Sequence, residues 1–217
     1  MKVIIFGIGD FAKQIYYYLN QSDHYNVECF CVNNQYYNEK EFMGKKVINF
    51  DDDLENYSND EYKFIIAVGY KQMRARRTVF DLIKSKGFEL INFIHSSVNV
   101  MGKIKGEGNI VLANVIIEPF AEINNNNIIW SNSIICHDSY VGDHNFIASS
   151  VVIGGFTKVI NNNFIGFNST LKENIEVDQE VLVGAKSLVI KSPDNYCTYF
   201  GIPAKKIKEH RANGIEI

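Results

Sequence analysis

The sequence predicts two domains, a small α/β unit followed by an all-β region that forms a parallel β-helix. Three observations in the 217 residues predict this arrangement. Apolar segments of strand and helix length alternate over the first part of the chain, aliphatic residues then recur at every sixth position, and clusters of asparagine lie between these aliphatic positions. We place the first domain at residues 1–93 and the second at residues 94–217.

Composition argues against several kinds of partner. Hydrophobic residues make up 46% of the chain and charged residues 22%, which is typical of a soluble globular protein. A formal net charge of −3 gives no electrostatic reason to expect nucleic acid or an anionic membrane as partner, and no apolar run is long enough for membrane insertion. The four cysteines lack the spacing of a metal site or of a disulfide framework, so we expect reduced thiols and a cytoplasmic protein.

The first domain has the alternation of a small α/β unit with a parallel sheet. Its strand-like and helix-like segments are, in order, KVIIF, DFAKQIYYYLNQ, VECFCV, KFIIAV, KQMRARRTVFDLIKSKG and ELINFI. Helical spacing is clearest after Gly69, and Gly87 is expected to end that helix. Arg74, Arg76 and Arg77 near its start are interpreted as a solvated face, although an anionic partner would explain one cation at a helix N-terminus.

A glycine-rich turn, GIGDFA, lies between the first strand and the first helix, where phosphates commonly approach the backbone. A dinucleotide site would require an acidic residue at the end of the second strand to bind a ribose. Asn33 and Asn34 stand there instead. Amides both donate and accept hydrogen bonds, as the edge of a pyrimidine base requires, so they favour a pyrimidine nucleotide.

A six-residue period dominates the second domain. From Val111 to Val189, every sixth position is Val, Ile or Leu, fourteen positions in all. Four residues after each of these lies a small or short side chain, with Ile175 as the exception. The period fits neither a helix nor a hairpin. It fits a parallel β-helix in which three six-residue sides make one coil and the aliphatic column points inward.

Two further features of the repeat concern its turns. The asparagine clusters at 124–127 and 161–163 are expected between the sides of the coil, because Asn tolerates left-handed backbone angles. The segment 104–109 falls one residue out of register. It therefore predicts an irregular first coil.

The motifs of the two domains together resemble a known family. They are GIGDFA, VNN after the second strand, IHSSV at the junction, the six-residue array, ICHDSYVGD, IGGFT, LVGAKSLV and GIPAKKIK. Over nearly its whole length the chain resembles the left-handed parallel β-helix sugar acyltransferases of bacterial surface-glycan synthesis, which act on nucleotide-linked 4-amino sugars or on sialic acids. The resemblance implies a Rossmann-like N-terminal unit, a left-handed coil, acetyl-CoA as acyl donor, no metal, and a homotrimer.

Acyl transfer from a thioester needs a base for the attacking group and a donor for the oxyanion. His137 is the candidate base, because it lies two residues beyond the inward-facing Ile135 at the edge of a coil. Asp138 would orient its imidazole. The resemblance implies the same base, and it places the thioester carbonyl at the backbone N–H of Gly155, one coil later. It further implies acetyl-CoA contacts at Gly155, Gly184, Ala185 and Lys205.

The resemblance also implies a UDP- or dTDP-linked amino sugar as substrate, bound by the N-terminal unit. The chain departs from the usual family pattern where Asp10 and Phe11 replace Gly and His, and where Phe146 replaces a second His. His144 is not expected to take the place of that second His and is interpreted as a surface residue. The expected substrate-binding residues are Gly7, Gly9, Asp10, Phe11, Asn33, Asn34 and Gly69.

We interpret the chain as an N-acetyltransferase that acts on a nucleotide-linked 4-amino-4,6-dideoxy sugar. An O-acetyltransferase acting on a sialic acid or a related sugar would use the same residues. A zinc enzyme of the β-helix type would need three imidazoles, and only His137 and His144 lie in the coil. A non-catalytic scaffold is a further alternative. Cys136, beside the candidate base, is interpreted as a small residue at a turn rather than as a nucleophile.

Overall fold

The protein forms two units in a computed structural model, which describes residues 1–69 and 71–217. A five-stranded sheet is the centre of the first unit. This first unit consists of residues 1–69 and 78–91. Its strands are β1 (Lys2–Phe6), β2 (Asn26–Val32), β3 (Glu41–Phe42), β4 (Lys45–Asn49) and β5 (Tyr62–Ile66). The order is β3–β4–β2–β1–β5, and every neighbouring pair is parallel except β3 and β4. The predicted parallel sheet is present, with a β3–β4 hairpin that the sequence did not predict.

The described residues contain three α-helices. They are α1 (Asp10–Asn20), α2 (Phe50–Asp53) and α3 (Met73–Ser85), and short 3₁₀ helices lie at Asn34–Tyr36 and Leu54–Asn56. Gly87 has a φ of 80° just beyond α3, as helix-ending glycines do, which confirms the predicted stop. Within the part of the chain that the structure describes, no helix combines the length and the apolar character needed to cross a membrane.

The predicted last strand of the first domain, ELINFI, is divided between the two units. Leu90 forms an isolated bridge with Phe64 of β5 and packs in the core of the first unit with Phe88. Phe93 and Ile94 instead form a strand of the second unit. The prediction of one continuous strand is therefore wrong, because a single apolar run supplies residues to two separate cores.

The second unit, residues 71–77 and 92–217, is a parallel β-helix with three faces. The first face consists of β7 (Asn99–Val100), β10 (Ile116–Ile117), β13 (Ile134–Ile135), β16 (Val152–Ile153), β19 (Thr170–Leu171) and β22 (Leu188–Val189). The second face consists of β8 (Lys103–Ile104), β11 (Glu122–Ile123), β14 (Tyr140–Asp143), β17 (Lys158–Asn161) and β20 (Glu176–Gln179). The third face consists of β6 (Phe93–Ile94), β9 (Ile110–Val111), β12 (Ile128–Ile129), β15 (Phe146–Ile147), β18 (Phe164–Ile165), β21 (Leu182–Val183), β23 (Cys197–Gly201) and β24 (Ala204–Glu209).

The register between coils is eighteen residues, as the six-residue period predicts. Ile117 pairs with Ile135, and Ile135 pairs with Ile153. All fourteen aliphatic positions from 111 to 189 are buried in one core inside the coils. The irregular first coil is also confirmed, because Ile104 pairs with Ile123, nineteen residues later.

A residue with a left-handed backbone conformation, that is, a positive φ, occurs at every sixth position from 114 to 186, once at each corner of the coil. Corner A joins the first face to the second, corner B the second to the third, and corner C the third to the first. The left-handed residues of corner A are Phe120, Asp138, Phe156 and Asn174. Those of corner B are Asn126, His144, Asn162 and Glu180, and those of corner C are Asn114, Asn132, Ser150, Asn168 and Lys186. The asparagine clusters therefore lie at turns, as predicted.

Corner B also contains a buried ladder of asparagine side chains, formed by Asn109, Asn127, Asn145 and Asn163. The Oδ1 atom of Asn127 accepts hydrogen bonds from the backbone N–H and the Nδ2 of Asn145, at 2.9 and 3.1 Å. The Oδ1 of Asn145 accepts the same two bonds from Asn163. Each amide thus satisfies a backbone N–H of the next coil, which a buried turn requires.

Two arginines attach residues 71–77 to the rest of the second unit. Arg76 is buried, and its guanidinium donates to the carbonyl oxygens of Asn126 and Gly108 at 3.4 and 3.3 Å. This burial lowers the pKa of Arg76 to about 9. Arg74 forms an ion pair with the buried carboxylate of Glu180 at 2.9 Å. The prediction of a solvated arginine face is therefore wrong for Arg74 and Arg76, because they contact corner B.

Replacing Asn145 with Ala should lower the free energy of unfolding by about 2 kcal/mol, because the buried backbone N–H of Asn163 loses its acceptor and the carbonyl of Ile160 loses its side-chain donor. Urea unfolding followed by circular dichroism measures this change. The control is Asn99→Ala, an exposed position on the first face, for which we expect a change within about 0.5 kcal/mol. Equal losses in the two variants would contradict a stabilising role for the ladder.

Candidate active site

His137 lies at corner A, between β13 and β14. Its side chain is 53% exposed, and its Nδ1 is 3.0 Å from Oδ2 of Asp138. When Nδ1 donates its proton to this carboxylate, the basic lone pair of the neutral ring lies on Nε2. Nε2 makes no hydrogen bond within the described part of the chain. The pair therefore presents a base, oriented by a carboxylate, on the surface of the coil.

Gly155 lies against the imidazole of His137, one coil later. A methyl group on its Cα would come within 2.8 Å of Cε1 and 2.9 Å of Nε2, so a side chain at this position would displace the ring. The backbone N–H groups on either side are occupied, since Gly154 donates to Leu171 and Phe156 donates to His137. The N–H of Gly155 has no acceptor among the described residues. A free N–H beside a base is the arrangement that stabilises an oxyanion.

Glu118 belongs to this site, and the sequence reasoning missed it. Its Oε2 accepts a hydrogen bond from the backbone N–H of His137 at 2.8 Å, which fixes the main chain that carries the base. The signal that would have found it is the register, because Glu118 precedes His137 by one coil and one residue. Phe156 was missed as well, and its ring centroid lies 5.3 Å from that of His137, at 88°.

Cys136 is half-buried next to the base. Burial raises the pKa of its thiol, and the carboxylate of Glu118 raises it further. A raised pKa keeps the sulfur protonated near neutral pH, whereas nucleophilic cysteines have lowered values. These surroundings favour the structural interpretation of Cys136.

The residues expected to bind the acyl donor are not all at corner A. Gly184 and Ala185 lie at corner C, at the opposite edge of the first face. Gly184 packs under the ring of Phe200, which a side chain at this position would overlap. Ala185 is exposed, and Lys205 is exposed on β24. Within one chain the structure therefore brings together His137, Asp138 and Gly155, and places Gly184, Ala185 and Lys205 elsewhere.

The expected nucleotide-binding residues follow the carboxyl ends of parallel strands in the first unit, where such folds commonly bind ligands. Gly7 follows β1, Asn33 follows β2 and Gly69 lies beyond β5. Gly7 has a φ of 121°, and a side chain on it would lie 2.9 Å from the carbonyl oxygen of Ala67. The close approach of β1 to β5 therefore requires glycine at this turn.

Polar groups of other residues at this edge differ in whether they already have a hydrogen-bond partner. The Oδ1 of Asn33 is buried and has no hydrogen-bond partner among the described residues. The side chain of Asn34 instead accepts from Asn49 at 3.2 Å, and its N–H donates to Asp51. The sequence reasoning missed both of these partners. Gly9 caps α1, Asp10 pairs with Lys13 at 3.2 Å, and Phe11 is half-buried.

His144 lies at corner B rather than at the candidate site. Its Nδ1 accepts from Nδ2 of Asn126 at 2.9 Å, and its side chain is half-buried. Among residues 1–69 and 71–217, no group of three or more His, Cys, Asp or Glu side chains is placed to hold a metal ion.

Two family models match the chain. Residues 2–79 match the PglD N-terminal domain, and residues 120–155 match the bacterial transferase hexapeptide repeats. The chain combines a PglD N-terminal domain with transferase hexapeptide repeats. The two matches fall on the two regions that carry the resemblance drawn from the sequence, and the fold of an α/β unit followed by a left-handed β-helix is confirmed.

Solved structures of three other proteins share this fold over nearly the whole chain. The acetyltransferase domain of PglB from Neisseria gonorrhoeae FA1090 is 21% identical with a TM-score of 0.80, over 95% of this chain and 99% of its own. PerB from Caulobacter crescentus, in complex with CoA and GDP-perosamine, is 23% identical with a TM-score of 0.85, over 96% of this chain and 98% of its own. WeeI from Acinetobacter baumannii AYE is 18% identical with a TM-score of 0.64, over 95% of this chain and 100% of its own.

The raised pKa of Cys136 predicts how the rate of its alkylation by iodoacetamide depends on pH. The thiolate is the reacting form, so the rate should rise with pH through a midpoint above that of an ordinary thiol. Glu118→Gln removes the nearby negative charge and should move the midpoint to lower pH. Mass spectrometry of the Cys136 peptide after timed alkylation measures the rate. Glu176→Gln, on the second face, is the control and should leave the midpoint in place; a midpoint unmoved by Glu118→Gln would contradict the assigned contact.

Proposed function

We propose that the protein is a cytoplasmic, homotrimeric N-acetyltransferase of bacterial surface-glycan synthesis, such as that of an O-antigen. It transfers the acetyl group of acetyl-CoA to the amine of a nucleotide-linked 4-amino-4,6-dideoxy sugar. The observation that carries this proposal is the contact of His137, held by Asp138, with Gly155, whose backbone N–H has no acceptor among the described residues. This combination of base and free donor is suited to acyl transfer.

Each group at corner A has a defined role in the reaction. Nε2 of His137 removes a proton from the amine as its nitrogen forms a bond to the thioester carbonyl carbon. The N–H of Gly155 donates to the oxyanion of the tetrahedral intermediate. When the carbon–sulfur bond breaks, the imidazolium returns the proton to the departing thiolate of CoA. Asp138 stabilises that imidazolium, and Glu118 fixes the backbone of the base.

The ligands of the structural neighbours support this substrate class. PerB was crystallised with CoA and GDP-perosamine, and the PglB domain with acetyl coenzyme A. For this chain we expect UDP or dTDP as the nucleotide, bound by Gly7, Gly9, Asp10, Phe11, Asn33, Asn34 and Gly69. The unpartnered Oδ1 of Asn33 supports a base that donates a hydrogen bond, as the N3–H of uracil and thymine does.

The homotrimer is supported by the difference between two outer faces of the β-helix. Four of the six outward residues of the first face are aliphatic and half-buried, namely Ile116, Ile134, Val152 and Leu188, and the other two, Asn99 and Thr170, are exposed. The second face carries charged residues, including the Lys158–Glu176 ion pair at 3.7 Å. Packing of copies through the first face would remove apolar surface from water.

The two edges of the first face carry different parts of the proposed site. Corner A holds His137 and Gly155, and corner C holds Gly184 and Ala185. Packing through this face joins the base of one chain to the acyl-donor residues of the next. Lys205, on the exposed β24, is expected to contact a phosphate of CoA.

His137→Ala should lower kcat for N-acetylation by about 10²- to 10⁴-fold, with little change in the Kd for acetyl-CoA, because a general base acts in the transition state. Turnover is measured on UDP-, dTDP- and GDP-linked 4-amino sugars and on their 4-hydroxy analogues, with products identified by mass spectrometry. His144→Asn, at corner B, is the control and should keep normal turnover. Acetylation of the hydroxy sugars alone would favour an O-acetyltransferase, and normal turnover by His137→Ala would refute the mechanism.

Subunit complementation should locate the two parts of the site. His137→Ala removes the base at corner A, whereas Ala185→Trp blocks the acyl-donor residues at corner C. Neither homotrimer should be active, but trimers mixed by co-expression contain seams with both parts intact and should regain activity. The control is a mixture of His137→Ala with a Gly155→Trp variant. Because both changes affect corner A, these mixed trimers should remain inactive. Purified mixed trimers without activity would indicate a complete site within each chain.

A further inference from the structure

Two phenylalanines at corner A have a backbone conformation that their side chains disfavour. Phe120 has a φ of 66° and Phe156 a φ of 59°, in the left-handed region. Their side chains are largely exposed, at 76% for Phe120 and 56% for Phe156. Packing within the chain therefore does little to offset the strain of the backbone.

The other left-handed corner residues between 114 and 186 are all polar in the described chain, and most are asparagine. Asn adopts this conformation at low cost, whereas a bulky side chain crowds the following carbonyl. Strained residues of this kind cluster at functional sites, where the surrounding structure maintains them. Both exceptions belong to the corner that carries the candidate base.

Phe120 and Phe156 lie one coil before and one coil after Asp138, the neighbour of the base. The N–H of Asp138 donates to Pro119 in the preceding coil, and the N–H of Phe156 donates to the carbonyl of His137. The ring of Phe156 meets the imidazole edge to face, with centroids 5.3 Å apart. The base is thus bordered by an exposed apolar surface, next to the N–H of Gly155.

We propose that Phe156, with Phe120 as a second apolar wall, packs against the C6 methyl group of the amino sugar and selects 6-deoxy sugars over sugars with a 6-hydroxymethyl group. This inference rests on the proposed function. In a 4-amino-4,6-dideoxy sugar the methyl group is on C5, the neighbour of the carbon that carries the amine. When the amine reaches His137, the methyl group is therefore close to the adjacent ring. A hydroxyl in its place would lose water against an apolar surface.

The test compares kcat/KM for two nucleotide-linked 4-amino sugars that differ only in a 6-methyl or 6-hydroxymethyl group. The natural protein should prefer the 6-deoxy sugar by about 10-fold or more, the discrimination typical of apolar pockets. Phe156→Asn should bring the ratio near one while the midpoint of thermal unfolding rises, because Asn suits the left-handed backbone. Phe156→Leu keeps an apolar contact and should retain most of the preference.

Met43→Asn is the matched control. Met43 is also apolar and exposed, with a φ of 52°, but it lies in the β3–β4 turn of the first unit. This substitution should raise the unfolding midpoint and leave both kcat/KM values unchanged. It separates the effect of relieved backbone strain from the loss of a substrate contact.

Several results would overturn the inference and leave the proposed function standing. One is an unchanged sugar ratio in Phe156→Asn. Another is an altered preference between acetyl-CoA and propionyl-CoA with the sugar ratio unchanged, which would assign the ring to the acyl group. A third is dissociation of the trimer, measured by light scattering, which would assign the ring to an interface between copies. Failure of the natural protein to acetylate either amino sugar would refute the proposed function, and the inference with it.

Discussion

Hydrogen bonds between successive coils hold residues of the β-helix beyond its first coil next to the residues eighteen positions away. This register stacks Ile117, Ile135 and Ile153 in the core, and it stacks Asn127, Asn145 and Asn163 at corner B. The same register places Gly155 against His137, because these residues also differ by one coil. The core, the buried polar ladder and the proposed site therefore have one geometric origin.

The faces of the β-helix differ in polarity because only their outward residues are free to vary. Inward positions must be aliphatic to fill the core, and corner positions must tolerate a left-handed backbone. The outward positions of the first face are mainly aliphatic, and those of the second face are mainly charged. Corner A lies at the boundary between these two faces. A base at this boundary is available to an apolar partner on one side and to water on the other.

Periodic features of this protein could be predicted from its sequence, and features outside the period could not. The inward column, the left-handed asparagines and the irregular first coil all follow from a repeat that the residues themselves display. His137 and Asp138 could be identified because they are adjacent in the chain, and Gly155 because it lies one coil later. The burial of Arg76 depends on contacts between segments far apart in sequence. No local pattern reports such a contact.

Glu118 and the two phenylalanines are intermediate cases. They lie on the repeat, so the register alone would have placed them beside His137. Their side chains, however, do not conform to the pattern of their columns, and a search for recurring residue types passes over them. Residues that depart from a repeat at a known position are therefore more informative about the site than residues that obey it.

The irregular first coil has a consequence for how the chain can change in length. Phe93 and Ile110 are paired at a separation of seventeen residues, and Ile104 and Ile123 at nineteen. A terminal coil has a neighbour on one side only, so an extra or missing residue there disturbs few contacts. Between Glu118 and Gly155, a single inserted residue would turn inward-facing side chains outward, and an insertion between His137 and Gly155 would separate the base from its glycine. The end of the stack can therefore vary by a residue, whereas the coils that carry His137, Gly155 and Ala185 must keep both their length and their number to preserve the proposed site.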